Sequence, residues 1–179
     1  MNLKIMLTSK FKEAVIMNIY DFAIDFEIEN QKFYKDCAAN TSHEELKSVF
    51  LELAEEEKKH ENIVRQLKEN KEVGEVESGI LPKAKEAFDK IADNMPTGDD
   101  IMPEEQVDVY KKAIDLERKS YEFYTEKAEE SDSEVVKKTF NRLAQEEKKH
   151  EKIMDNITEM VDRPNTWLED AEWYHLEDY

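Results

Sequence analysis

A chain of 179 residues is long enough for one domain with a real core and short for two. Charged and hydrophobic residues each make up 39% of it, which excludes a disordered polyelectrolyte, and a formal charge of −18 argues against nucleic acid or an anionic membrane as partner. The single Cys37 excludes an internal disulfide and any cysteine-rich metal site, and it fits a reducing cytoplasm.

Only 3 Gly and 4 Pro punctuate the chain, so its long Glu/Lys/Leu/Ala-rich stretches read as helices. Met1–Met17 alternates short apolar pieces with Lys10, Lys12 and Glu13. It holds no apolar run of signal-peptide length, and no stretch is fit to span a bilayer, so a soluble protein is expected. The first helix is predicted from about Glu13 or Met17 to Ala39, with a break at Asn40-Thr41-Ser42. Ser42 as N-cap, with Glu45 completing a capping box, opens a second helix that runs to about Asn70. Glu72–Met102 carries Gly74, Gly79, Pro82, Pro96 and Gly98, and its middle, Leu81–Met95, reads as a short amphipathic helix. Pro103 suits the first turn of the next helix, which reaches about Glu130; after Ser131-Asp132-Ser133 another runs to about Met160. The tail beyond Pro164 carries both tryptophans and is expected to add a short helix against the outside.

The chain repeats itself. Shifted by 90 residues, Tyr20–Ile63 falls on Tyr110–Ile153 without a gap, and 20 of those 44 positions are identical. AIDFE (Ala23–Glu27) meets AIDLE (Ala113–Glu117), Phe33-Tyr34 meets Phe123-Tyr124, and LAEEEKKHE (Leu53–Glu61) meets LAQEEKKHE (Leu143–Glu151). Two helical hairpins follow, at about residues 13–70 and 103–160, with a crossover over 71–102 and a tail over 161–179. Two such hairpins that run parallel need one long connection, so the expected fold is an all-α four-helix bundle in a single domain.

Each helix has an apolar seam interrupted near its middle. Phe50, Leu53, Glu57, His60, Val64 and Leu67 share one face of the second helix, and Phe140, Leu143, Glu147, His150, Met154 and Ile157 repeat it on the last. The first helix aligns Tyr20, Ile24, Glu27, Gln31, Tyr34 and Ala38; its counterpart aligns Tyr110, Ile114, Glu117, Tyr121, Tyr124 and Ala128. Four carboxylates in an apolar core would repel one another and carry a desolvation cost of several kcal/mol each, so cations must sit among them. Two divalent ions would neutralise Glu27, Glu57, Glu117 and Glu147, with neutral His60 and His150 completing the donors. A lone Glu-x-x-His is weak evidence in so acidic a chain. Two of them at a fixed offset, each preceded by a seam Glu at the same distance, are not explained by copied surface residues, whose helical phase would be random. Oxygen and imidazole donors suit iron or manganese, with zinc as a further alternative, whereas calcium would want no histidine.

Tyr34 and Tyr124 follow the seam glutamates Glu27 and Glu117 by two turns, as hydrogen-bond partners of ligand carboxylates or as core aromatics. Glu55, Glu56, Glu61, Glu146 and Glu151 lie off the seam and are expected in solvent, balanced by Lys58-Lys59 and Lys148-Lys149. A third Glu-x-x-His, Glu172 to His175, reads as chance or as an accessory ion site on the tail.

The doubled AIDFE…FY…LAEEEKKH pattern resembles the di-iron domain of rubrerythrins, in the ferritin-like superfamily, over nearly the whole chain. That resemblance implies a ferritin-like bundle holding two iron ions, bridged by Glu57 and Glu147, with Glu27 and His60 completing one sphere and Glu117 and His150 the other. The chain departs from the family twice. It has no rubredoxin domain with four cysteines, and Ser120 stands where rubrerythrins carry an extra Glu tied to their redox-dependent iron shift and peroxidase action, with Asn30 as its repeat counterpart. The expected function is a di-iron oxidoreductase reacting with hydrogen peroxide or dioxygen in oxidative-stress defence, with a separate protein or Fe(II) itself as electron donor. The alternatives are iron binding and storage, with Fe(II) as substrate, and a bundle merely held together by metal. Long bundle faces suggest a homodimer.

Overall fold

The structure, a computed structural model, describes residues 3–74, 76, 78–94 and 104–162. Five helices follow in order: α1 (Leu3–Asn40), α2 (Glu44–Lys68), α3 (Ile80–Asn94), α4 (Glu104–Glu130) and α5 (Glu134–Asp162), and no strand occurs among the described residues. The all-α bundle of two helical hairpins expected from the repeat is the fold observed, and it is the ferritin-like bundle that the resemblance implies. α1 starts at Leu3 rather than at Glu13 or Met17, because neither Gly nor Pro interrupts Leu3–Asn40. Pro103, Trp167, Trp173, Glu172 and His175 lie outside the described residues, as does the short helix expected after Pro164.

The N-cap of α2 is His43, not Ser42, and no side chain caps it. The capping box expected from Ser42 and Glu45 is therefore one residue out of register. In the second repeat the same position is Ser133, whose Oγ accepts from the Val136 amide at 3.4 Å, so of these two helices α5 alone has a side-chain cap. Both starts share one geometry: the His43 and Ser133 carbonyls accept from Lys47 and Lys137 at 2.9 Å. At its far end α2 stops where Asn70 turns to φ 53°, a left-handed conformation that Asn tolerates.

The two hairpins, α1 with α2 and α4 with α5, carry most of the packing, and α3 lies chiefly against α2. Its residues Ile80, Ala84, Phe88 and Ile91 reach the core, where they meet Leu46, Val49, Phe50 and Leu53. The crossover thus adds apolar area to the core as well as closing the topology; each fully buried phenyl ring contributes about 2–3 kcal/mol.

The core divides into two. Tyr34 and Ala38 from the end of α1 cluster with Val107, Tyr110 and Ile114 from the start of α4. Tyr20, Ala23 and Ile24 cluster with Tyr124 and Ala128 from its end. α1 and α4 therefore run antiparallel. So do α2 and α5, since Leu46–Ala54 clusters with Ile153–Val161. The second hairpin is thus reversed relative to the first rather than parallel to it, and the long connection is what lets α2 and α4 run the same way. Between the two apolar halves lies a polar layer.

Candidate metal centre

The middle of each helix delivers that layer. Glu27, Glu57, His60, Glu117, Glu147 and His150 are all fully buried. One ligand atom from each of Glu57, His60, Glu147 and His150 lies within 4.8 Å of the others. His150 Nδ1 sits 2.9 Å from Glu57 Oε1, and His60 Nδ1 sits 2.8 Å from Glu147 Oε1 and 3.5 Å from Glu57 Oε2. Glu27 Oε2 is 3.9 Å from His60 Nδ1, and Glu117 Oε2 is 3.7 Å from His150 Nδ1. The two imidazoles stack with centroids 5.4 Å apart and planes 14° from parallel. The structure thus gathers all six residues at one centre, with both histidines presenting Nδ1.

Eight buried polar atoms of these six residues lack a hydrogen-bond partner: Glu27 Oε2, Glu57 Oε2, Glu117 Oε2, both oxygens of Glu147, both nitrogens of His60, and His150 Nε2. His60 Nδ1 and Glu147 Oε1 are close enough to bond yet are not aligned for it. Native cores seldom leave such groups unsatisfied. Their convergence is what a cation site requires, and the donor set fits a transition metal.

Electrostatics show the same demand. Burial, and then the charges of Glu147 and Glu57, push the Glu27 carboxyl well above its ordinary range; burial and the charge of Glu57 do so for Glu117. Burial alone would lower both imidazoles, but the facing carboxylates, Glu147 for His60 and Glu57 for His150, raise them well above the ordinary value. Burial would also raise Glu57, and the imidazole of His150 holds it down instead. Without a metal, protons supply the missing positive charge.

Two tyrosines brace the layer crosswise. Tyr34 Oη donates to Glu117 Oε1, and Tyr124 Oη donates to Glu27 Oε1. Each phenol therefore serves the carboxylate of the opposite hairpin. Burial first, and the neighbouring carboxylate second, keep both phenols protonated well above the ordinary tyrosine range.

Several off-seam residues are placed differently from expectation. Glu55 is exposed, but Glu56, Glu61, Glu146 and Glu151 are buried. Gln31, Lys58 and Arg65 donate to Glu61; Lys148 and Arg118 donate to Glu151. Lys59 reaches Glu56, while Lys149 and the crossover residue Ser78 reach Glu146. The predicted lysine pairs are the right partners, but their aliphatic stems and the neighbouring helices take these carboxylates out of water. On α4, Tyr121 is only half-buried, under the Lys148 ammonium at 5.6 Å, and Ser120 takes the inward place beside it. Asn30 and Ser120, which the sequence marks only as positions lacking a carboxylate, are buried and joined, Asn30 Nδ2 donating to Ser120 Oγ at 3.2 Å. Their place three residues beyond Glu27 and Glu117 on the buried stripe is a signal that periodicity contained.

Among the described residues no helix is long and apolar enough to cross a membrane. Residues 18–158, well over half of the chain, match the family model described as Rubrerythrin. No curated protein and no solved structure matches the chain.

Proposed function

Because this chain belongs to the rubrerythrin family, we propose that its centre holds two iron ions and that the protein is an oxidoreductase whose reduced centre reacts with hydrogen peroxide or dioxygen. The observation that carries this reading is the convergence of eight unpartnered buried atoms from six side chains of two hairpins. Glu57 lies close to both imidazoles and Glu147 within 2.8 Å of His60, so these two carboxylates would help hold the ions from the α2/α5 side. Glu27 beside His60 and Glu117 beside His150 would complete one sphere each. Four carboxylates and two divalent ions balance in charge, so the layer needs no further counter-ion. When bound, the two irons would supply the two electrons that reduce peroxide to water.

The residues around them bind, orient and exclude. Tyr124 and Tyr34 hold one oxygen of Glu27 and of Glu117, leaving Oε2 of each free to face a cation. The apolar halves of the core, with Phe50, Leu53, Phe140 and Leu143 all essentially unexposed, keep bulk water from the layer. Cys37 is buried and alone, so it offers no second redox centre, and reducing electrons are supplied by Fe(II) or by a separate protein.

The test is metal analysis of protein purified without oxygen, followed by a peroxide titration. Two irons per chain, oxidised rapidly and with turnover, is the expected result. Two irons that stay inert would reduce the centre to a structural one. Many irons per chain in a cage-sized particle would replace this function with storage.

A further inference from the structure

Asn30 and Ser120 are repeat counterparts, ninety residues apart, that touch each other. A contact between equivalent residues of two repeats can only lie on the axis relating them. The flanking contacts agree: Glu27 meets Tyr124 on one side of this pair, and Tyr34 meets Glu117 on the other. The pair therefore stands at the centre of the α1/α4 wall. Both imidazoles come from the opposite wall, α2 and α5, so the α1/α4 wall that carries Asn30 and Ser120 offers the centre no imidazole.

The pair's hydrogen-bonding capacity is not used up. Asn30 is 1% exposed and Ser120 0%, yet Asn30 Oδ1 has no partner. Ser120 accepts from the amide, which leaves its hydroxyl proton to donate. If the amide turns over, Oδ1 accepts from Ser120 and both N–H groups become free. Such a pair can donate or accept, and it carries no charge. Neutrality matters here: with two divalent ions the four carboxylates are already balanced, and an oxidised centre gains two positive charges that no fifth acid offsets.

We propose that Asn30 and Ser120 form the binding edge for a small exogenous ligand of the oxidised centre, of the class of hydroxide, hydrogen peroxide or azide. They would select it by hydrogen bonding and themselves ligate no metal. The inference rests on the two-metal reading above. In the oxidised protein the ligand takes the α1/α4 side, where either Ser120 donates to it and Asn30 Oδ1 accepts any proton it carries, or, with the amide turned over and Ser120 donating to Oδ1, an Asn30 N–H donates to it.

Azide is the probe, titrated into the iron-loaded, oxidised full chain and followed by its visible absorption band, with iron counted in the same samples. Ser120→Ala and Asn30→Leu should each retain two irons per chain and raise the azide dissociation constant about tenfold, as expected for the loss of one hydrogen bond to an anion. Ser120→Ala, which improves helix propensity and removes one atom, keeps the test valid if Asn30→Leu fails to fold. Unchanged azide affinity at full iron loading would show that the pair only joins two helices, and loss of iron from Ser120→Ala would make it a ligand; either overturns the proposal. A wild-type chain that takes up no iron would instead overturn the two-metal reading on which it stands.

Discussion

Tyr124→Phe removes one oxygen and tests whether the crosswise phenols hold the centre. Tyr124 is wholly buried, as is its acceptor Glu27, whose Oε2 already lacks a partner. Deleting the hydroxyl leaves both oxygens of a buried carboxyl unsatisfied while changing almost no volume, so the cost is electrostatic. A buried acceptor that loses its donor costs about 1–3 kcal/mol. The iron-free protein should therefore lose about that much in urea unfolding. Iron affinity, measured by competition with a chelator, should fall about 10–100-fold, because the phenol orients a ligand carboxylate. The repeat doubles the test. Tyr34 makes the same contact with Glu117, whose Oε2 is likewise unpartnered, so Tyr34→Phe should match Tyr124→Phe in both measurements. The two contacts lie in one polar layer, so the double variant need not be additive. A loss under about 0.5 kcal/mol in both single variants, with unchanged iron affinity, would refute the reasoning and leave the tyrosines as packing.

Other outcomes follow from the same physics. In the iron-free chain the imidazoles of His60 and His150 have raised affinities for protons, as do Glu27 and Glu117, so the folded state binds more protons than the unfolded one. The histidine share of stability is then complete below the ordinary imidazole value of 6.5 and is lost as pH rises toward the folded values; urea midpoints that rise between about pH 5.5 and 8 would contradict this. Iron, which displaces those protons, should flatten the decline. Cys37 is pushed up to about 12, by burial first and the charge of Asp36 second, so at about pH 8 roughly one thiol in ten thousand is ionised. Thiol reagents should label it very slowly in the native protein and fully on unfolding, and rapid native labelling would show that the site opens. Phe88, fully buried on α3, should cost about 3–5 kcal/mol as Phe88→Ala; a thermal or urea shift worth under about 1 kcal/mol would mean that the crossover helix is not part of the core.

Periodicity and duplication alone determine the helical bundle, its two hairpins and the six residues of the central layer. Each seam is a local property: side chains three and four apart share a helix face whatever that helix packs against, and the second copy reads the pattern again. Local chemistry also fails locally, as at Ser42, where Asn40-Thr41-Ser42-His43 offers several oxygens near a helix start and backbone geometry puts the cap at His43. Distances between helices are a different kind of quantity, set by packing across the bundle, and only the tertiary structure decides them. It joins Tyr34 to Glu117 and Tyr124 to Glu27 crosswise, because α1 and α4 run antiparallel at a separation that two phenols span. It buries Glu56, Glu61, Glu146 and Glu151, because lysine stems, Gln31 and Ser78 arrive from other turns and other segments. It also brings Asn30 to Ser120, since only a folded two-fold repeat sets a residue against its own counterpart.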